Sequence, residues 1–116
     1  MNHPLLQARL ARHYAEAPLR LRLDEELGNW HGLSWSDFAL LAALEEAASG
    51  LPAAGLAARL GLARSALLRQ LLPLEKTGLV AREPDAAGVR RIVLRPAGRR
   101  LAREARDTAE AACAAG

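Results

Sequence analysis

The stretch Leu56-Ala-Ala-Arg-Leu-Gly-Leu-Ala-Arg-Ser-Ala-Leu-Leu-Arg-Gln-Leu-Leu-Pro-Leu-Glu-Lys-Thr-Gly-Leu-Val80 holds two short amphipathic runs separated by Gly61. The first starts at Pro52 or Ala53 and carries Leu56, Ala57 and Leu60 to the turn; the second runs from Ala63 to Thr77 and is closed by Gly78. Two short helices broken by a glycine read as a helix-turn-helix. At about 100° per residue, Leu67, Leu71 and Leu74 fall on one side of the second helix and are expected to face a core, while Ser65, Ala66, Arg69 and Pro73 fall opposite. Small residues on an outward face let the backbone approach another molecule, and a long arginine then reaches base edges in a major groove. Leu68 and Leu72 lie between the two faces and are expected to pack against neighbouring elements rather than take part in readout.

The segments after that helix turn the motif into a winged one. Leu79 to Arg82 and Arg90 to Arg95 read as strands, and Glu83-Pro84-Asp85-Ala86-Ala87-Gly88 between them is turn chemistry. Pro96 and Gly98 stop the second strand. A hairpin beside the second helix lays Arg90 and Arg91 along a phosphate backbone or into a minor groove. The candidate DNA-binding residues are therefore Arg64, Ser65, Ala66, Arg69, Arg90 and Arg91, with Arg69 placed to read a base and Arg64, at the helix start, to anchor a phosphate.

Charge supports that assignment. Up to Gly50 the chain has four arginines against seven acids, whereas between Arg59 and Arg100 it has ten basic residues, nine of them arginine, against three acids. The positive charge thus coincides with the helix-turn-helix, and arginine suits forked contacts with phosphates and guanine edges. Double-stranded DNA is the expected partner.

A chain of 116 residues is one domain by size. Hydrophobic residues make up 51% of it but aromatics only 3%, which favours helices packed through aliphatic side chains. The expected fold is mostly α with a small β-hairpin wing, organised as an N-terminal dimerisation region at 1–30, a winged lobe at 34–96 and a C-terminal dimerisation helix at 97–116. Leu5 to Ala17 forms a first helix that Pro18 interrupts or restarts, and Leu19 to Leu27 continues it to Gly28. Ser34, with Asp37 three residues on, caps a helix from Trp35 to about Ala48, with Phe38, Leu41 and Leu44 inward. The last helix runs from about Ala97 to Ala112. Leu6, Leu10, Tyr14, Leu19 and Leu23 exceed what a winged lobe of this size covers, which predicts a homodimer.

Several function classes find no support. No apolar run approaches the ~18 residues of a membrane span, and the N-terminus lacks a basic flank followed by an apolar core, so no membrane partner and a cytoplasmic location are expected. His3, His13 and His31 lack partners at metal-ligand spacing, no glycine-rich phosphate loop is present, and Ser65 has no evident base, so neither enzymatic activity nor a metal or other cofactor is expected. A metal-sensing role for His31 with Asp24 or Glu26 stands against a capping or exposed histidine. Cys113, the single cysteine, forms no internal disulfide. Trp30, Trp35 and Phe38 gather near the junction of the dimerisation helices and the lobe, as core filling or as a ligand site.

From about Leu19 to Arg103 the chain resembles the MarR family of bacterial transcription factors. The resemblance rests on Leu-Asp-Glu-Glu-Leu at 23 to 27, His-Gly-Leu-Ser at 31 to 34 with Asp-Phe at 37 and 38, and Leu-Ala-x-Arg-Leu-Gly-Leu at 56 to 62. It continues through Arg-Ser at 64 and 65, Leu-Glu-Lys-x-Gly-Leu-Val at 74 to 80, Arg-Glu-Pro-Asp at 82 to 85, Arg-Arg at 90 and 91 and Leu-x-x-x-Gly at 94 to 98. The resemblance implies a homodimeric repressor whose N- and C-terminal helices interlock, with two winged lobes on pseudo-palindromic DNA. It also implies a small aromatic or phenolic effector that weakens DNA binding, in the region of Trp30, His31 and Trp35.

The chain departs from the family pattern at several places. The acid that precedes the wing arginine is replaced around Gly88 or Val89, so the salt bridge orienting that arginine is expected to be missing. The wing is about two residues short, Pro52 stands where a polar cap precedes the third helix, Ala66 replaces a hydroxyl, and the last helix of the family is largely absent. Pro73 inside the second motif helix removes a backbone hydrogen bond and in a regular helix costs ~3 kcal/mol or kinks it. With Leu68, such departures keep open a second reading, a winged-helix protein-interaction module that has lost specific DNA readout.

Overall fold

The computed structural model describes residues 2–115, so Met1 and Gly116, the outer bounds expected for the two dimerisation segments, lie outside the described residues. Five helices and one hairpin follow in the order α1 (Pro4–His31), α2 (Trp35–Glu46), α3 (Ala53–Leu60), α4 (Arg64–Lys76), β1 (Val80–Pro84), β2 (Arg90–Leu94) and α5 (Pro96–Ala115). The strands pair antiparallel with Val80 opposite Leu94 and Pro84 opposite Arg90. Leu51 adds a one-residue bridge to Ile92, through hydrogen bonds of 3.0 and 2.7 Å. The wing sheet is thereby tied to the α2–α3 connection. This is the winged helix expected from the sequence.

One aliphatic core holds the lobe together. Leu40, Leu41 and Leu44 of α2, Leu56 of α3, Leu67, Leu71 and Leu74 of α4, and Val80 and Ile92 of the wing are all buried. The three α4 leucines are the ones that its spacing places inward. Helix α5 packs through a face of small residues, Gly98, Ala102, Ala105, Ala109 and Ala112, which lets its backbone lie close to α1 and α2. Arg106 on the flank of that face pairs with Glu45 and lies 5.6 Å over the ring of Phe38.

Element ends differ from the sequence reading at several places, each for a local reason. Pro18 neither interrupts nor restarts α1, which runs unbroken from Pro4 to His31. Its missing N–H leaves the carbonyl of Tyr14 without a helical donor, but both residues are exposed, so that carbonyl is open to water. The helix also passes Gly28 by one turn and ends at Gly32, whose left-handed φ of 67° allows a cap in which the amides of Gly32 and Leu33 donate to Gly28 and Leu27. Helix α2 stops at Glu46, and α4 spans Arg64 to Lys76 with the exposed Pro73 inside it. Pro84 lies within β1 because its paired edge requires no donor there. Gly98 sits inside α5, which Pro96 opens.

The N-terminal half of α1 stands away from this core. Every described residue from Asn2 to Pro18 is exposed, including Leu5, Leu6, Leu10 and Tyr14. The radius of gyration, 16.1 Å, exceeds the roughly 13 Å of a compact chain of this length. Among the described residues no helix is long and apolar enough to cross a membrane.

Candidate nucleic-acid interface

Burial of Leu67, Leu71 and Leu74 fixes the rotation of α4, and a hydrogen bond of 3.2 Å from Gln70 to the Asp37 carboxylate holds its flank against α2. Asp37 is itself fixed at the start of α2, where Ser34 accepts from its amide at 2.9 Å and its own carboxylate accepts from the Ser34 amide. With the rotation set, Ser65, Arg69, Leu72, Pro73 and Lys76 are exposed, while Ala66 is half-buried. Two points differ from the sequence reading. Leu68 does pack against the core, but Leu72 does not; it is 51% exposed. Lys76, two turns from Arg69, joins the outward face and escaped sequence reasoning, although its spacing from Ser65 and Arg69 is the helical signal that locates it.

Helix α4 has no polar side chain at its N-cap, which is Ala63, and α3 likewise starts without one at Pro52. Arg64 opens α4 from an exposed position. Together with Leu68 it lines a cavity of about 330 Å³ whose far wall is the wing, with Arg82, Val89, Arg90 and Arg91. The recognition-type helix and the hairpin thus flank one arginine-rich cleft. Arg82 is taken up by a salt bridge of 2.7 Å to Glu75 of α4, which braces the wing against the helix. Arg64, Arg69 and Arg90 form no ion pair with described residues.

Arg91 behaves differently from Arg90. Its guanidinium donates to the Asp85 carboxylate at 3.1 Å and to the Gly50 carbonyl at 3.1 Å. The orienting salt bridge expected to be missing is therefore present, supplied from the far side of the turn, because the pairing of Pro84 with Arg90 brings Asp85 beside Arg91. Asp85 also accepts from the amides of Val89 and Ala87, at 3.0 and 2.9 Å, and closes the turn where Gly88 takes a φ of 82°. The Val89 amide above all, then the Arg91 guanidinium, hold the Asp85 carboxyl below its ordinary value of 3.8. Because the folded-state value is the lower one, the contribution of this turn is present above 3.8 and is lost as pH falls through the folded value. In an NMR titration the Ala87 and Val89 amides should shift with a midpoint below 3.8; a midpoint at or above it would contradict this arrangement.

The residues expected to meet a ligand do not converge. Trp30 is 74% exposed and, with Arg22, Glu26 and Thr108, lines a groove between α1 and α5. His31 shares a 2.6 Å hydrogen bond with Thr108 of α5. Trp35 stacks on Phe38, with ring centroids 5.8 Å apart, and lines a separate hollow of about 280 Å³ together with Arg20, Leu60, Leu62 and Gln70. Asp24, the suggested metal partner of His31, accepts from the Trp35 amide at 2.7 Å and so ties α1 to the start of α2. Among the described residues no three His, Cys, Asp or Glu side chains are placed to hold a metal ion.

This geometry has close counterparts among known proteins. A family model described as MarR family matches residues 31–91. A MarR-family transcriptional regulator of Rhodococcus sp. RHA1 is 25% identical, over 97% of this chain and 80% of its own, with a TM-score of 0.83. CouR of Rhodococcus jostii RHA1, solved bound to p-coumaroyl-CoA, is 27% identical over 86% of this chain and 71% of its own, with a TM-score of 0.80. The MarR-family protein RV2887 of Mycobacterium tuberculosis, solved with p-aminosalicylic acid, is 29% identical over 98% of this chain and 82% of its own, with a TM-score of 0.71. No curated protein sequence matches the chain.

Proposed function

Because this chain belongs to the MarR family of DNA-binding transcriptional regulators, we propose that it acts as a homodimeric repressor that occupies a pseudo-palindromic operator. The observation that carries the reading is the fixed rotation of α4, which turns Ser65, Arg69 and Lys76 outward beside a wing whose Arg90 forms no ion pair with the described residues. In this assignment Arg69 reads a guanine edge, Ser65 and Ala66 let the helix backbone approach the groove, and Arg64 and Arg90 hold phosphates on either side of the cleft. Arg91 serves as the strut that keeps Arg90 in place, through Asp85 and the Gly50 carbonyl. The family resemblance, not the geometry, is what supports repression as the sign of regulation.

The arginines are told apart by the kind of loss they cause. Arg69→Ala should cost about 1 to 3 kcal/mol on the preferred operator and little on random DNA, flattening specificity. Arg90→Ala should weaken all sequences evenly and make the salt slope shallower by about 1 per lost phosphate contact, or about 2 for a symmetric dimer. The operator is first selected from random DNA, and isotherms are then measured at several salt concentrations. If neither variant changes operator affinity, the protein-interaction module takes the place of this reading.

An aromatic carboxylate is the effector class that fits, seated in the hollow where Trp35 offers a ring face, Arg20 a cation and Leu60 and Leu62 an apolar wall. The p-aminosalicylic acid of RV2887 supports that choice, whereas the p-coumaroyl-CoA of CouR, a thioester, supports only the aromatic part of it. Gln70 of α4 lines the same hollow, so a ligand there bears on the helix that reads DNA, and it acts only through different affinities for the bound and released arrangements. Titration with p-aminosalicylic acid should quench Trp fluorescence and loosen operator binding, and Trp35→Ala should abolish both. A quench that survives Trp35→Ala would move the site to Trp30 and the α1–α5 groove.

A further inference from the structure

The large apolar side chains left exposed among the described residues fall into two groups. Leu5, Leu6, Leu10, Tyr14, Leu21 and Trp30 all lie on α1; Leu72 and Val89 do not. Val89 sits at the tip of the wing and lines the cleft with Leu68 and Ile92. Leu72 has no such shelter. It stands half-exposed on the outward face of α4, three residues after Arg69 and four before Lys76, spacings that make all three neighbours on one helix surface. The burial of Leu71 and the Gln70–Asp37 hydrogen bond leave α4 no freedom to turn that face inward.

We propose that Leu72 is a specificity-determining residue that reads the C5 methyl group of a thymine in the major groove. The inference rests on the DNA-binding reading above and deepens it. Of the four bases only thymine offers an apolar group in that groove, and the same groove supplies the acceptors and phosphates that Arg69 and Lys76 require. A protein partner apolar enough to cover Leu72 would strand those two charges without water. Along the helix axis Leu72 lies about 4.5 Å beyond Arg69, against about 3.4 Å per base pair. The thymine therefore falls one or two base pairs from the guanine that Arg69 reads, once in each half-site.

Replacing thymine by deoxyuridine removes that methyl and leaves base pairing unchanged, which makes the test direct. In the operator selected from random DNA, each thymine is exchanged in turn, and affinity is measured for the wild-type protein, Leu72→Ala, Arg69→Ala and Val89→Ala. One thymine per half-site should cost the wild-type protein about fourfold when demethylated, the loss expected for one buried methyl, and about fifteenfold when both half-sites are changed. Leu72→Ala, which removes the contact in both half-sites at once, should bind the thymine operator about fifteenfold more weakly and be indifferent to the exchange. Val89→Ala, at the wing, should keep the full methyl discrimination. Circular dichroism should show Leu72→Ala folded, since the side chain supports no core. The proposal is overturned if no thymine matters to the wild-type protein, or if the penalty persists in Leu72→Ala. Loss of discrimination by Arg69→Ala in that case leaves the DNA reading standing and removes the methyl contact alone; a selection that enriches no sequence removes both.

Discussion

Gly98→Ala should destabilise the protein by about 3 kcal/mol, at the upper end of what overpacking costs, and lower the melting temperature by roughly 12 °C. A Cβ built on Gly98 would stand 2.1 Å from the Leu79 carbonyl oxygen and 2.9 Å from its carbon. Both atoms are backbone, and that carbonyl is fixed by the Arg95 amide at 2.9 Å, so no side-chain rotation relieves the clash. Either α5 moves off the lobe or β1 shifts at its start. Helix propensity alone predicts the opposite sign, a gain of up to about 1 kcal/mol for alanine over glycine in a helix. Gly55→Ala isolates that term, because its Cβ would meet only Pro52 at 3.5 and 3.7 Å in ordinary contact, at an exposed position of α3. Thermal melts of the two variants should therefore move in opposite directions. Equal, small shifts would mean that α5 does not pack on Leu79 in this way.

The same contrast shows what a sequence conveys and what it withholds. The core face of α4 was legible because Leu67, Leu71 and Leu74 repeat at the helical period and every one is buried. The hairpin was legible because two short stretches with Leu79-Val80 and Ile92-Val93-Leu94 flank turn residues. Leu72 was misjudged because residue type was given more weight than its angle, which already lay far from Leu67. Asp85 was missed for a different reason: it reaches Arg91 across a turn, from six residues away, and only the register that pairs Pro84 with Arg90 creates that proximity. The Asp24 cap on α2 and the Gln70 strut to Asp37 are likewise products of tertiary approach, invisible to any local pattern. Pro18 did not end α1: the bond it forfeits is to the Tyr14 carbonyl on an exposed stretch open to water, and the helix continues past it to His31. The aromatic residues adjoin in sequence but point to different hollows, since Trp30 ends α1 on its exposed side while Trp35 begins α2 against the core.

Charging the N-terminal face of α1 should have the largest effect on DNA binding of any substitution outside the interface itself. Leu6 and Leu10 are one turn apart and both exposed, on a helix whose described residues are all exposed up to Pro18. A monomer has no reason to hold that half in water with Leu5 88% and Tyr14 65% exposed; a second copy laying its own α1 there does. The wild-type protein should then scatter light as a dimer of the 12.4 kDa chain at micromolar concentration, with a melting temperature that rises with protein concentration. Leu6→Glu with Leu10→Glu should give a monomer whose melting temperature no longer depends on concentration, because the buried lobe core does not involve either residue. Operator affinity should fall about 100-fold or more, since two half-sites joined through one dimer bind with an effective concentration that separate lobes lack. Affinity for a single half-site should stay unchanged, which separates lost dimerisation from a damaged lobe. A wild-type chain that is monomeric at these concentrations, yet binds a full operator no more weakly than the dimer model requires, would remove α1 from the assembly and leave its leucines unexplained.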